Sequence, residues 1–557
     1  MGGIKSKVRS KVMPLLLNLL ATVAFVLLAL TSHVWIGLVV AAVAIIGLAW
    51  QALGQSFTDT ISGQLLLVTG LLITYQERVP SASTSALVIT GLGIGSLIVN
   101  QPLLVFLIER PSIKVANLAG YAAGRDTTVP PRWLYASAPG LLAVLAILVA
   151  AKTNPWIIAG LALAACLTAA VTTAQALRVR RSPHSLDNRL RTALQAYDPQ
   201  FAFYFTAPPN SEYHIGMWYP YLKRLGKPFV IILRERAALP VVAAMVDVPV
   251  LYCEHESFVD QVVLPGMKAC FYANNGSKNS HMVRFNRLTH IQLLHGDSDK
   301  ASSYNPVTGI YDRIFVAGQA GIDRYEANGV LIPAQKFDIV GRPQVEDIHV
   351  SDAAVGDLAN VTVLYASTWV GNYSDASYSS LHLGDQIIRK LLDRHATVVL
   401  RPHPYARRDL DSARRLARME QMLADDAAKT GRNHLYGDVS SVQMSLFDCI
   451  NSADAMISDV SAVASDWLFS QKPFALTNVL DEERSAFEAA FPLARAAYVI
   501  DHDAANLDEI LDQLLKIDSL VATRRDLRTY YLGDFPTETY SDGFVSAASK
   551  YVTTARG

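Results

Sequence analysis

The sequence predicts a multi-span α-helical membrane domain over residues 1–182, followed by an α/β region built as two doubly wound units in tandem. Three observations carry this prediction. The hydrophobic fraction is 51% and the mean hydropathy +0.23 although 18% of residues are charged, and almost every long apolar run lies before Arg178 while most of the charge lies after it. The two parts therefore suit different solvents. The early runs reach the roughly 20 residues that a helix needs to cross a bilayer core. Beyond Asp187, short apolar runs of strand length alternate with helix-like segments, the pattern of α/β sheets. A chain of 557 residues also exceeds one compact core, since domains run to roughly 150 residues.

Element by element, the clearest spans are Met13 to Leu30, Val34 to Leu53, Ser85 to Ile108, Trp133 to Ala151 and Pro155 to Leu177. A sixth, Ile61 to Tyr75, is shorter and holds Gln64. Six spans return the chain to its starting side, and the basic residues choose that side. Lys5, Lys7, Arg9 and Lys11 lead the chain, Lys114 and Arg125 lie in the loop from Arg110 to Arg132, and Arg178, Arg180 and Arg181 follow the last span. Lysine and arginine are retained on the cytoplasmic face, so the expected location is the plasma membrane, multi-pass, with the N-terminus and the catalytic units cytoplasmic. The basic leader and first run imitate a signal peptide, yet no small-residue cleavage site follows and another span begins at once, as in an anchor. Either a passive tether or a region that handles a lipid-linked substrate fits these spans.

A polar linker, Ser182 to Asp187, opens the second part. Expected strands are Phe201 to Thr206, Phe229 to Leu233, Val248 to Tyr252, Ala269 to Tyr272, Ile291 to Leu294 and Ile314 to Ala317. A second series comprises Val361 to Ala366, Thr397 to Arg401, Ala455 to Ser458 and Phe474 to Thr477. The units span 188–345 and 346–557, joined near Gly341 to Ser351, and such units bind ligands at the carboxyl ends of their strands. With 49 basic and 49 acidic residues the chain lacks the basic excess that a nucleic-acid binder needs, so that class is set aside. Cys166, Cys253, Cys270 and Cys449 show neither metal nor disulfide spacing and read as reduced thiols.

Three motifs sit at predicted strand ends. In Leu293-Leu294-His295-Gly296-Asp297-Ser298-Asp299-Lys300, His295 enters a turn, Gly296 permits close approach to the backbone and Lys300 can meet a phosphate, though a His-Gly turn is also common with no chemistry. In Leu400-Arg401-Pro402-His403-Pro404, a guanidinium and an imidazole two positions apart suit a diphosphate; a rigid surface loop is the plain alternative. In Ser458-Asp459-Val460-Ser461, followed by Asp466 and Lys472-Pro473, a strand runs into a helix whose free N–H groups can hold an anion. There Asp459 is expected to cap the helix and Asp466 to accept a sugar hydroxyl, with ordinary helix capping as the alternative.

Taken in order, His-Gly, Arg-Pro-His-Pro and Ser-Asp-x-Ser with a trailing Lys-Pro resemble the CDP-glycerol glycerophosphotransferase family, which builds teichoic-acid-type polymers. Val363 to Trp369 and Val340-Gly341-Arg342-Pro343 add to the likeness, which covers roughly Leu293 to Asn478. The resemblance implies a GT-B fold of two Rossmann-like domains, an acceptor domain then a nucleotide-donor domain. It also implies transfer of glycerol phosphate or a similar alditol phosphate from a CDP-activated donor to a lipid-linked, polyprenyl-type acceptor, with CMP released and no metal or other cofactor. His295 is then the general base, Arg401 and His403 hold the diphosphate, and Ser458, Asp459, Ser461 and Asp466 line the nucleotide site with Gly296 and Lys300. Asp297 stands where the family usually has Thr, and Ala462 where it has a second Ser. Three other readings compete. Asp297-Ser298-Asp299 is a literal Asp-x-Asp metal motif, a GT-B glycosyltransferase would use a nucleotide sugar, and a membrane scaffold would do no chemistry.

Overall fold

The computed structural model describes residues 2–52, 60–108, 113–121, 132–180, 188–351, 353–370 and 378–554. The predicted linker Ser182 to Asp187 and the basic residues Arg110, Arg125 and Arg181 lie outside them. The chain divides into two compact units, one of residues 1–112 with 122–187, the other of residues 113–121 with 188–557.

The first unit is helical: α1 (Gly2–Leu30), α2 (Val34–Ala52), α3 (Ile61–Arg78), α4 (Thr84–Ile108), α5 (Arg132–Ala150) and α6 (Pro155–Arg180). Among the described residues, two stretches are long and apolar enough to cross a membrane, Val12–Leu30 and Val34–Gln51, with mean hydropathies of 2.4 and 2.2. Apolar stretches of 10–17 residues lie in α4, α5 and α6. The helices approach closely through small residues. A Cβ added at Gly93 of α4 would stand 2.9 Å from the Ala162 Cβ of α6, the kind of contact that lets helices pack on dispersion forces alone.

The second unit holds two sheets. The first contains β1 (Ile113–Ala116), β2 (Phe201–Phe205), β3 (Phe229–Leu233), β4 (Val250–Cys253), β5 (Ala269–Tyr272), β6 (Thr289–Gln292), β7 (Arg313–Val316) and β8 (Phe337–Ile339). Their order is β1-β4-β3-β2-β5-β6-β7-β8, all parallel except β1, which runs antiparallel to β4. Leaving aside β1 and β8, this is the winding of a dinucleotide fold, with its switch point between β2 and β5. β2 to β5 are wholly buried apolar runs, as a parallel sheet covered on both faces requires. The second sheet contains β9 (Thr362–Ala366), β10 (Thr397–Leu400), β11 (Ala455–Ser458), β12 (Phe474–Thr477) and β13 (Tyr498–Ile500). It is fully parallel in the order β10-β9-β11-β12-β13, and its chain reverses direction between β9 and β11.

Two domain boundaries differ from expectation. Ile113–Tyr121, read as a membrane-domain loop, belongs to the second unit, because β1 pairs with β4 and the Asn117 Nδ2 donates to Ala243 O and Val246 O at 2.8 and 2.7 Å. The final helix, Asp542–Thr553, packs on the first sheet rather than the second, with the Phe544 ring 5.3 Å from Trp218 and 5.9 Å from Phe315. The strands missed from sequence are β1, β8 and β13.

Candidate active site

The His295 turn is built by strain and held by a helix. β6 ends at Gln292, and Leu294 takes a left-handed backbone with φ 58°, an unusual state for a bulky residue. Two bonds fix it: Trp218 Nε1 donates to Leu294 O at 2.6 Å, and Leu294 N donates to Gln292 Oε1 at 3.1 Å. His295 then emerges with an exposed imidazole stacked on His214, centroids 4.0 Å apart and planes 16° apart. Crowding by the surrounding walls lowers the proton affinity of His295, and the Arg342 cation lowers it further. His214 is 7% exposed, and burial drives its pKa down to about 3 with the neighbouring ring adding to the effect.

The second sheet meets this turn. The Gly296 backbone lies so near the start of the short helix Ala462–Trp467 that a Cβ there would stand 3.6 Å from the Ala462 Cβ. Lys300 lies over the Tyr378 ring at 5.0 Å; burial lowers its pKa, opposed by the Asp459 carboxylate. His403 sits between Trp369 and Tyr405, with centroids 6.1 and 5.2 Å away. Its Nδ1 accepts from Tyr405 N at 3.1 Å, which leaves Nε2 as the protonated nitrogen of the neutral ring. Burial, helped by the Lys300 and Arg408 cations, lowers the His403 pKa to about 4, so the ring is neutral at physiological pH. His295, Gly296, Lys300, His403 and Ser461 thus gather where the two sheets approach, at the switch point of the second sheet.

Four predicted site residues have other duties. Asp459 does not cap the helix. It is fully buried and accepts from Thr368 N at 2.6 Å, Thr477 Oγ1 at 2.7 Å and Ser380 N, tying β9, β11 and β12 together at their ends. Both oxygens of Asp466 engage the buried Arg342 guanidinium. The Arg401 Nη1 donates to Ser440 O and to Met444 O, which anchors the guanidinium to the segment after β10. The Ser458 hydroxyl is buried and donates to Ala366 O at 2.8 Å. The Asp-x-Asp pair is likewise occupied, because Asp297 and Asp299 share the Arg324 guanidinium and Asp299 also accepts from Tyr531.

His214 and Trp218 were not read from the sequence. Their signal was available: they stand four residues apart on one face of an amphipathic segment just after β2. Arg342, noted only as part of a joining segment, proves to be the buried partner of Asp466.

Two α/β sheets thus approach each other around two imidazoles and a lysine. Residues 349–499 match the family described as CDP-Glycerol:Poly(glycerophosphate) glycerophosphotransferase, so this segment is a transferase domain of that type. No match is found among curated proteins. Among solved structures, a variant of the wall teichoic acid polymerase TagF soaked with CDPG is 12% identical, with a TM-score of 0.42 over 68% of this chain and 96% of that one. MnaA from S. aureus with UDP is 12% identical, with a TM-score of 0.42 over 63% and 96%. HepE from Anabaena with UDP and glucose is 11% identical, with a TM-score of 0.37 over 63% and 99%.

Proposed function

We propose that the protein is a membrane-anchored transferase that moves glycerol phosphate, or a similar alditol phosphate, from a CDP-activated donor to a lipid-linked acceptor. In this reading the acceptor hydroxyl gives its proton to the neutral His295 and attacks the alditol-bearing phosphorus. The bond from that phosphorus to the bridging oxygen breaks, and CMP leaves with the electron pair. The His403 Nε2–H donates a hydrogen bond to the departing oxygen and the Lys300 cation offsets the growing charge, so the residues serve as base, donor and electrostatic clamp. The Gly296 backbone and Ser461 line the space between. The observation that carries this reading is the gathering of His295, Lys300 and His403 at one cleft from motifs far apart in the chain.

The surface of the helical unit supports membrane attachment. Leu15, Leu30, Val39, Ile46, Leu92 and Ile147 are each 65–71% exposed, spread over α1, α2, α4 and α5, where a water-facing bundle would be polar. We extend this to six crossings in the plasma membrane, with both ends cytoplasmic. The proposed transfer invokes no metal.

The test is incubation of the detergent-purified full chain with labelled CDP-glycerol, CDP-ribitol or UDP-sugars in the presence of lipid extract. CMP release coupled to a labelled lipid-linked product is expected from a CDP-alditol. Turnover of UDP-sugars alone would make the protein a glycosyltransferase, and no turnover of any donor would leave the scaffold reading.

A further inference from the structure

We propose that the helix Tyr213–Lys223 is a two-point mount for the His295 turn, with His214 and Trp218 acting as positioning residues for the transfer reaction; this rests on the assignment of His295 as the base. One face of the helix touches the turn twice. Trp218 donates its indole N–H to the carbonyl of Leu294, the left-handed residue, and one helical turn earlier the His214 ring lies flat on the His295 ring. Residues four apart share a helix face, so the two grips are rigidly spaced.

His214 is not explained as ordinary core. It is 93% buried, yet its Nδ1 has no hydrogen-bond partner, a costly state for a polar atom that a packing role would fill more cheaply with phenylalanine. Phe205 and Tyr213 meet its ring edge-on, with centroids 6.1 and 4.3 Å away, and hold it as a plate. With its pKa driven down to about 3, it is too weak a base to take a proton from the acceptor. It sets the plane in which the His295 nitrogens meet the acceptor hydroxyl, while the Trp218 bond sets the strained backbone from which that ring projects.

The experiment compares His214→Ala, His214→Phe, Trp218→Phe and His295→Ala in the detergent-purified full chain, measuring kcat, the donor KM and the melting temperature. Misplacing a reacting group by about 1 Å costs on the order of 100-fold. His214→Ala is therefore expected to lower kcat by about 10- to 100-fold with the donor KM unchanged, and His214→Phe, which keeps the plate, to restore most of it. Trp218→Phe keeps the bulk and loses the bond, and is expected to lower kcat without changing the donor KM. A wild-type kcat in His214→Ala, or equal losses in the Ala and Phe variants, would overturn the proposal. Full activity in His295→Ala would instead overturn the base assignment beneath it.

Discussion

At the scale of single residues, chemistry here depends on which groups are spare and which are spent. Asp459 and Asp466 are held by framework partners, and the Arg401 Nη1 donates to backbone carbonyls. His295→Ala is expected to reduce kcat by about 10²- to 10⁴-fold, the usual worth of a general base, in the CMP-release assay. The pH dependence has a definite sign. A base acts in its neutral form, and its surroundings depress the His295 pKa, so activity is retained as pH falls through the ordinary imidazole value of about 6.5 and is lost only below it. A kcat/KM profile with its acidic limb above that value would contradict the assignment. Lys300→Met removes a charged donor worth about 1.5–3 kcal/mol, which should raise the donor KM about tenfold or more while the fold melts as before.

At the scale of elements, the joints between the sheets carry the predictions. The Arg342–Asp466 pair links the segment after β8 to the helix after β11 in a buried setting, with side chains 8% and 3% exposed. Breaking such a pair leaves an uncompensated charge, so Asp466→Asn is expected to cost about 3–5 kcal/mol in denaturant unfolding, and a combined Arg342→Met, Asp466→Leu change to recover much of it. The edge strand β1 offers a second test. Val115→Pro removes a backbone donor from the ladder with β4, and amides of Val250 to Cys253 should then exchange faster with deuterium than those of β2 in the sheet centre. These joints were hard to read from sequence because each pairs residues more than a hundred positions apart.

At the scale of the whole molecule, β1 constrains topology. In the membrane-anchored reading proposed above, a strand paired with β4 lies on the same side of the bilayer as β4, so the chain between residues 121 and 188 would cross an even number of times. Single cysteines introduced at Ala119 and Ser549 are expected to react with an impermeant maleimide from the same side of sealed vesicles, and opposite sidedness would refute the pairing. The Asp-x-Asp metal reading is tested at this scale too. With both acids held by Arg324, turnover is expected to survive EDTA, and loss restored by Mn²⁺ would refute that expectation.

The sequence by itself determined the local features. The helices α1 to α6 begin and end within a few residues of the runs of apolar side chains, save for the longer N-terminal extension of α1, and β2, β3, β5, β11 and β12 lie where short hydrophobic stretches stand between turn residues. These are nearest-neighbour properties, written in composition and period. His295 and His403 were legible for the same reason, since each lies within a motif of a few residues. Only the tertiary structure decided which polar groups were free. Asp466 and Arg401 look alike as ligands in a list of residue types, and only the structure shows their partners, Arg342 for one and the carbonyls of Ser440 and Met444 for the other. His214 became visible only when β2 and β6 brought two rings to 4.0 Å. A hydrogen bond or a stacked ring is a property of two positions in space, and one-dimensional order does not contain the distance between them.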